Sequence, residues 1–195
     1  MSQLVVIDQL GQHSFTPTVN TLYLALLDRQ LQQGQLSIDL DFRQAGVSCR
    51  LLVIGRLAAD SNWQLTTNMR HHVRRTSCQT DVFLSQADRT RVDYFGQIYI
   101  DRQAQLTKSF LKEQSLTLGQ ATYNRSQPIL EIYNNQVKAS HSASSRQLDA
   151  NELFYLMSRG FPAAEAAQIL EEAFFAQILQ TVRDRQARQL IKEYL

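Results

Sequence analysis

His141, in the run Lys138-Ala139-Ser140-His141-Ser142-Ala143-Ser144, is the residue best suited to chemistry. A neutral imidazole binds iron and other borderline metals through either ring nitrogen, and it relays protons near neutral pH. One ligand rarely makes a metal site, so the plain alternative is a polar histidine at a strand end, bonded to the serines around it. His71 and His72 are adjacent. On a strand, neighbouring side chains leave opposite faces, so this pair is expected to be structural rather than to share one ion. Cys49 and Cys78 form no CxxC pair, which excludes a zinc knuckle and argues against a disulfide framework. Both are expected reduced, with Cys49 a small core residue between Val47 and Leu51. Arg70, Arg74 and Arg75 have no interleaved aromatic platform and read as a solvated face, not a nucleic-acid surface. The sequence has no glycine-rich phosphate loop, no G-x-S-x-G elbow and no HExxH pair. ATP hydrolysis is therefore not expected.

These residues must be held by a chain of 195 residues with 44% hydrophobic content, enough for one cored domain or one with an appendage. Twenty basic residues (Lys+Arg 20) against Asp+Glu 18 leave a net charge of +2, which points neither to nucleic acid nor to an acidic substrate. No basic segment precedes an apolar run at the amino terminus, and no stretch approaches the ~20 apolar residues of a spanning helix. A cytoplasmic, reducing location without membrane insertion is the expectation.

Short strands dominate most of the chain. Leu4–Ile7 is a β-branched run, and Leu36, Ile38, Leu40 and Phe42 alternate with polar residues as a half-buried strand does. Val47–Ile54, Trp63–Thr66, Asp81–Leu84, Val92–Tyr94, Gln97–Ile100 and Leu130–Tyr133 continue the series. Spacing of about ten residues with short turns argues for an all-β body and leaves sandwich, barrel and parallel β-helix open. The run Val19–Gln33 reads as either a helical stripe or a strand at Leu22–Leu26. No tandem sequence repeat is visible.

After His141, Ser142–Ser145 reads as a small polar linker. Asp149, three residues before Glu152, predicts a helix N-cap with a capping-box partner. Gly160 suits the left-handed position after that helix, and Pro162 the first turn of the next. Ala166, Leu170, Ala173, Phe174 and Ile178 form a helical stripe. The more polar run from Arg183 has Val182, Leu190 and Leu195 as anchors.

Ser140-His141-Ser142-Ala143-Ser144, Asp149, Phe154-Tyr155-Leu156 and Ser158-Arg159-Gly160-Phe161 together resemble the SufB/SufD family of iron–sulfur cluster assembly, with SufD the nearer side. In that family a segment like SHGAT precedes FYL.SRGI and an alanine-rich helix. Upstream, His71 with Arg75-Thr76-Ser77 resembles H..PRT.S, although Arg74 stands where proline is usual. Phe95–Ile100 is similar to FRGKIYV, Ala104–Thr107 to A.QTDA, and Pro128–Ile132 to KP.LEI. The resemblance covers roughly residues 36–179.

The resemblance implies a mainly β fold: a right-handed parallel β-helix over residues 1–146, then a C-terminal helical segment over 147–195. It favours the strand at Leu22–Leu26 and makes residues 1–35 a candidate cap. It implies a non-enzymatic, SufD-like scaffold whose partners are a SufC-type ATPase and a SufB-type subunit, or a second copy in a dimer. His141 becomes the cluster or metal candidate, contributing to a transient iron–sulfur cluster shared with a partner and not bound by this chain alone. Phe154, Tyr155, Arg159 and Phe174 become partner-docking candidates. Ala139 stands where many SufD proteins carry cysteine, and Ser142 replaces the following glycine. These departures keep two other readings open: a degenerate interaction module without cluster chemistry, and a stand-alone metal or cluster carrier. The chain is about half as long as ordinary family members, with the amino-terminal half missing, and a β-helix cut across its axis leaves open edges that association would cover.

Overall fold

The computed structural model describes residues 3–195. Among them, eleven strands precede three helices. The strands are β1 (Gln3–Ile7), β2 (Gly11–Phe15), β3 (Thr21–Leu27), β4 (Gln33–Phe42), β5 (Ser48–Leu57) and β6 (Asn62–His71). They continue with β7 (Ser77–Gln86), β8 (Arg91–Ile100), β9 (Lys108–Thr117), β10 (Tyr123–Ile132) and β11 (Lys138–Gln147). The helices are α1 (Ala150–Ser158), α2 (Ala163–Thr181) and α3 (Arg185–Tyr194).

The odd strands form one sheet in the order β1-β3-β5-β7-β9-β11, and the even strands a second in the order β10-β8-β6-β4-β2. Neighbours are parallel throughout. The chain thus passes from sheet to sheet at each corner and climbs as a β-solenoid of about 5 turns. Ser48, Ser77, Lys108 and Lys138 stack in one column, so a full coil takes about thirty residues. That period is what the sequence conceals, because a column conserves position and not residue type.

Alternation directs one face of each strand inward. Leu40, Met69 and Ile98 occupy one inner column, all without solvent exposure. β4 therefore alternates as expected, whereas β3 and β5 are almost continuously buried. The difference lies outside the solenoid. Phe174, Phe175 and Ile178 of α2, with Ala187 and Ile191 of α3, cover the outer face of the odd-strand sheet over Leu22, Leu24, Leu52, Ile54, Phe83 and Leu116. A sheet covered on both faces has no polar side to show.

Polar contacts fix that layer at its ends. Arg56 pairs with Glu171 at 3.2 Å, and Arg50 donates to the Thr181 carbonyl at 2.9 Å. The Tyr194 hydroxyl accepts from the Arg56 backbone N–H at 2.7 Å and donates to the Leu27 carbonyl at 2.6 Å.

The corners recur in the same geometry. Gly46 (φ 81), Arg75 (φ 59) and Leu106 (φ 59) mark one corner of successive coils, and Asp60 (φ 60), Arg89 (φ 55) and Ala121 (φ 54) another. Apart from glycine, such left-handed residues cost on the order of 1 kcal/mol each. Backbone bonds between coils accompany the turns, such as Arg75 N–H to the Gln105 carbonyl at 2.8 Å.

Several local expectations change. Trp63–Thr66 and the residues from Met69 to His71 belong to one strand, β6, and Val92–Tyr94 and Gln97–Ile100 to another, β8. Ser142–Ser145 is not a linker but the middle of β11, held by its ladder to β9. Residues from Gln3 onward supply β1–β3 of the solenoid, and Leu22–Leu26 is strand; Met1 and Ser2 of the expected cap lie outside the described residues. The last helical run breaks at Val182, which is extended, and restarts where Asp184 accepts from the Ala187 N–H at 2.9 Å.

Candidate functional site

Among the described residues β11 ends the odd-strand sheet and pairs only through one edge, with β9. Its register places Ala139, His141 and Ala143 beside Ser109, Leu111 and Glu113. Ser109, Leu111 and Glu113 are buried inner residues, so His141 continues an inner column at the mouth of the last coil. There it is exposed, because no further coil covers it among the described residues. Reading the alternation of β11 would have required recognising it as a strand, and KASHSASSRQ has no apolar stripe to announce one.

Beneath this mouth the lumen is polar. Glu113 is 1% exposed and accepts from the Ser115 hydroxyl, while Asn124 Nδ2 donates to Ser115 Oγ at 2.9 Å. Burial pushes the Glu113 carboxyl above the usual range, against the opposing hydrogen bonds from Ser115 and Asn124. One coil earlier, the Tyr94 hydroxyl bonds Thr67 at 2.7 Å, and burial raises its pKa. His71 Nδ1 lies 2.8 Å from Thr76 Oγ1 and its Nε2 3.0 Å from Ser109 Oγ. Desolvation, with a smaller contribution from His72, lowers His71 to about 3, so it is a neutral core imidazole. His72 points to the other face, with Nε2 2.8 Å from Asp41 and Nδ1 3.6 Å from Asp101. The adjacent histidines therefore separate as strand geometry requires.

Cys49 and Cys78, 29 positions apart, sit side by side in register on β5 and β7. Both are free and buried, with Cys49 pushed up to about 11 by desolvation and Cys78 raised by the same cause. They are protonated thiols of the core and poor ligands at neutral pH. Among the described residues no three His, Cys, Asp or Glu side chains converge as metal ligands.

The docking candidates lie on the helices beyond β11. Asp149 caps α1, its Oδ1 accepting from the Asn151 N–H at 2.7 Å and the Glu152 N–H at 3.4 Å. At the other end Gly160 has φ 99, and the N–H groups of Gly160 and Phe161 reach the carbonyls of Met157 at 3.0 Å and Leu156 at 3.3 Å. That is a Schellman closure, as Gly160 predicts. Between these caps α1 buries no residue. Phe154 is 73% exposed and Tyr155 56%, with the Arg159 guanidinium 5.2 Å from the Tyr155 ring. Phe174 differs from the expectation. It is 2% exposed, packed 5.5 Å from Phe83 and 5.0 Å from Phe175, and so holds α2 on the solenoid instead of facing a partner. Phe175, absent from the expected stripe, is fully buried beside it.

Among the described residues no helix is long and apolar enough to cross a membrane. Residues 24–174 match the family model described as "SUF system FeS cluster assembly, SufBD core domain". The chain is 31% identical over 105 residues to the iron–sulfur cluster assembly protein SufD of Escherichia coli (strain K12), covering 54% of this chain and 25% of that protein. It is 29% identical over 133 residues to an iron–sulfur cluster assembly SufBD family protein of Synechocystis, covering 67% and 28%. A SufBD family protein of Mycobacterium bovis is 27% identical over 165 residues, covering 80% and 41%. The chain thus spans between 25% and 41% of the length of these relatives. A family match over most of the parallel β-solenoid and into α2 leads to one conclusion: the chain belongs to the SufBD family of iron–sulfur cluster assembly proteins.

Proposed function

We propose that the chain is a SufD-like scaffold subunit, not an enzyme, that docks two partners at neighbouring places. A SufC-type ATPase binds α1. A SufB-type subunit, or a second copy of this chain, pairs with the open end at β11. The nascent cluster is cargo held between subunits, with His141 supplying one donor from the inner column.

The observation that carries this reading is α1 itself. A helix of nine residues, capped at both ends, half-buries only Leu153 and Leu156 and keeps Phe154 and Tyr155 exposed. Helices of that length are marginal on their own in water, and here the two caps and the contact with α2 hold the helix while its aromatic residues stay exposed. An apolar helix face laid in a partner groove is a common recognition mode. At β11 the free edge offers unpaired backbone N–H and C=O groups to an added strand.

Co-expression with a SufC-type ATPase and a SufB-type subunit tests the reading. Co-purification of both is expected, with ATPase binding lost in a Phe154→Ala/Tyr155→Ala variant. Recovery of the chain without either partner would reject the proposal.

A further inference from the structure

We infer that the uncovered outer face of β9 and β11 is a docking surface for an acidic segment of a partner protein. The inference is independent of the roles assigned to α1 and His141. α2 and α3 cover the odd-strand sheet over β3, β5 and β7, but on β9 they reach only the Leu116 end. The outer positions left open include the exposed Lys108 of β9 and Lys138 of β11, while Lys112 and Arg146 border them, with Lys112 Nζ 5.8 Å from the Phe83 ring and Arg146 Cζ 5.8 Å from the Phe174 ring. The one carboxylate in these two strands, Glu113, is turned into the lumen and buried. The exposed face is therefore basic without any acidic residue of its own strands. Asp81, in register with Lys112, is already held by Arg50 at 2.8 Å. Among the described residues none of the four basic groups forms an ion pair.

Lys108 and Lys138 stand directly opposite one another across the ladder. Like charges in that relation are destabilising in a sheet, so the fold alone gains nothing from the pair. An anionic partner converts the repulsion into attraction. Along β11, Ser140, Ser142 and Ser144 occupy the outer positions between Lys138 and Arg146, a row of short hydroxyl side chains. Such a row beside the lysines suits an extended or helical protein segment that runs along the strand. At the lysine end, a depression of about 380 Å³ is bordered by Leu106, Val137, Lys108 and Lys138. Leu106 is 55% exposed there. The fitting segment is thus acidic and carries an apolar side chain.

The test is fluorescence anisotropy of the full chain with a labelled glutamate-rich peptide carrying one leucine. Saturable binding that weakens as salt rises is expected, since exposed charge interactions are screened. Lys108→Glu/Lys138→Glu should weaken it at least ten-fold, and Lys108→Gln/Lys138→Gln by a smaller factor, with circular dichroism confirming that each variant is folded. Arg125→Glu, on the exposed face of the other sheet, should leave it unchanged. Equal weakening by Arg125→Glu, no effect of either lysine pair, or displacement by inorganic phosphate at constant ionic strength would each overturn the inference.

Discussion

His71 lies flat against Phe42 on the next coil, with ring centroids 4.4 Å apart and planes within 10°. Burial keeps the imidazole neutral, and the stack, together with the bonds to Thr76 and Ser109, fixes its place in the core. Its folded pKa of about 3 lies below the unfolded value of 6.5. The unfolded chain therefore binds the proton first, and stability present above pH 6.5 declines as pH falls towards about 3. The full slope is roughly 1.4 kcal/mol per pH unit. Urea midpoints between pH 7 and 4 should fall more steeply for the native chain than for His71→Asn. Parallel curves would show that His71 protonates without unfolding cost.

Two backbone positions should respond in opposite directions. A Cβ on Gly34 would sit 2.1 Å from the Trp63 ring, and Trp63 is fully buried. Gly34→Ala should destabilise by about 1–3 kcal/mol, the usual cost of overpacking. Ala121, exposed at φ 54, carries left-handed strain with no side-chain benefit. Ala121→Gly should raise stability by roughly 0.5–1 kcal/mol. Thermal melts of the two variants check both signs.

Glu113 lies in the lumen with no cationic partner in the described structure. Its raised pKa means that the folded chain holds the proton more tightly than the unfolded one. The sign is opposite to that of His71: this contribution is complete below the unfolded carboxyl range and is lost as pH rises through the folded pKa. Glu113→Gln removes the titration while keeping the shape. The variant should match the native chain in acid and exceed it in stability at neutral pH. A neutral-pH midpoint below the native one would indicate that the ionised carboxylate is stabilising instead.

The even-strand sheet was readable because its outer face is wet: Leu36, Ile38, Leu40 and Phe42 alternate with Ser37, Asp39 and Asp41. The odd sheet was harder, since α2 and α3 bury its second face and erase the alternation in β3 and β5. β11 was least readable. Its serines and alanines have little strand preference of their own, and the ladder to β9 makes the strand. The stacked cysteines show the same limit. Only the coil period places Cys49 beside Cys78, and a column such as Phe42, His71, Ile100 and Ile132 does not repeat in chemistry. Asp149 and Gly160 were legible because capping depends on local geometry alone. The burial of Phe174 is not legible in the sequence, because a helix stripe reveals which face is apolar but not whether the chain itself covers that face.

Phe154 and Phe174 therefore offer a direct comparison of outward and inward aromatics on consecutive helices. Phe174 is buried against Phe83, Phe175 and the Arg146 guanidinium, whose Cζ lies 5.8 Å from the ring. Phe174→Ala should cost about 3–5 kcal/mol and loosen α2 from the sheet. Phe154 is 73% exposed, so Phe154→Ala should change stability by no more than about 0.5 kcal/mol. If α1 is a docking helix, the exposed residue is nevertheless the one that matters for association. Loss of an interface anchor typically costs at least about 2 kcal/mol, a thirty-fold weakening. Chemical denaturation and titration calorimetry with a SufC-type ATPase separate the two effects. A Phe154→Ala chain that is stable and binds the ATPase with native affinity would remove Phe154 from the interface and leave its exposure without a role.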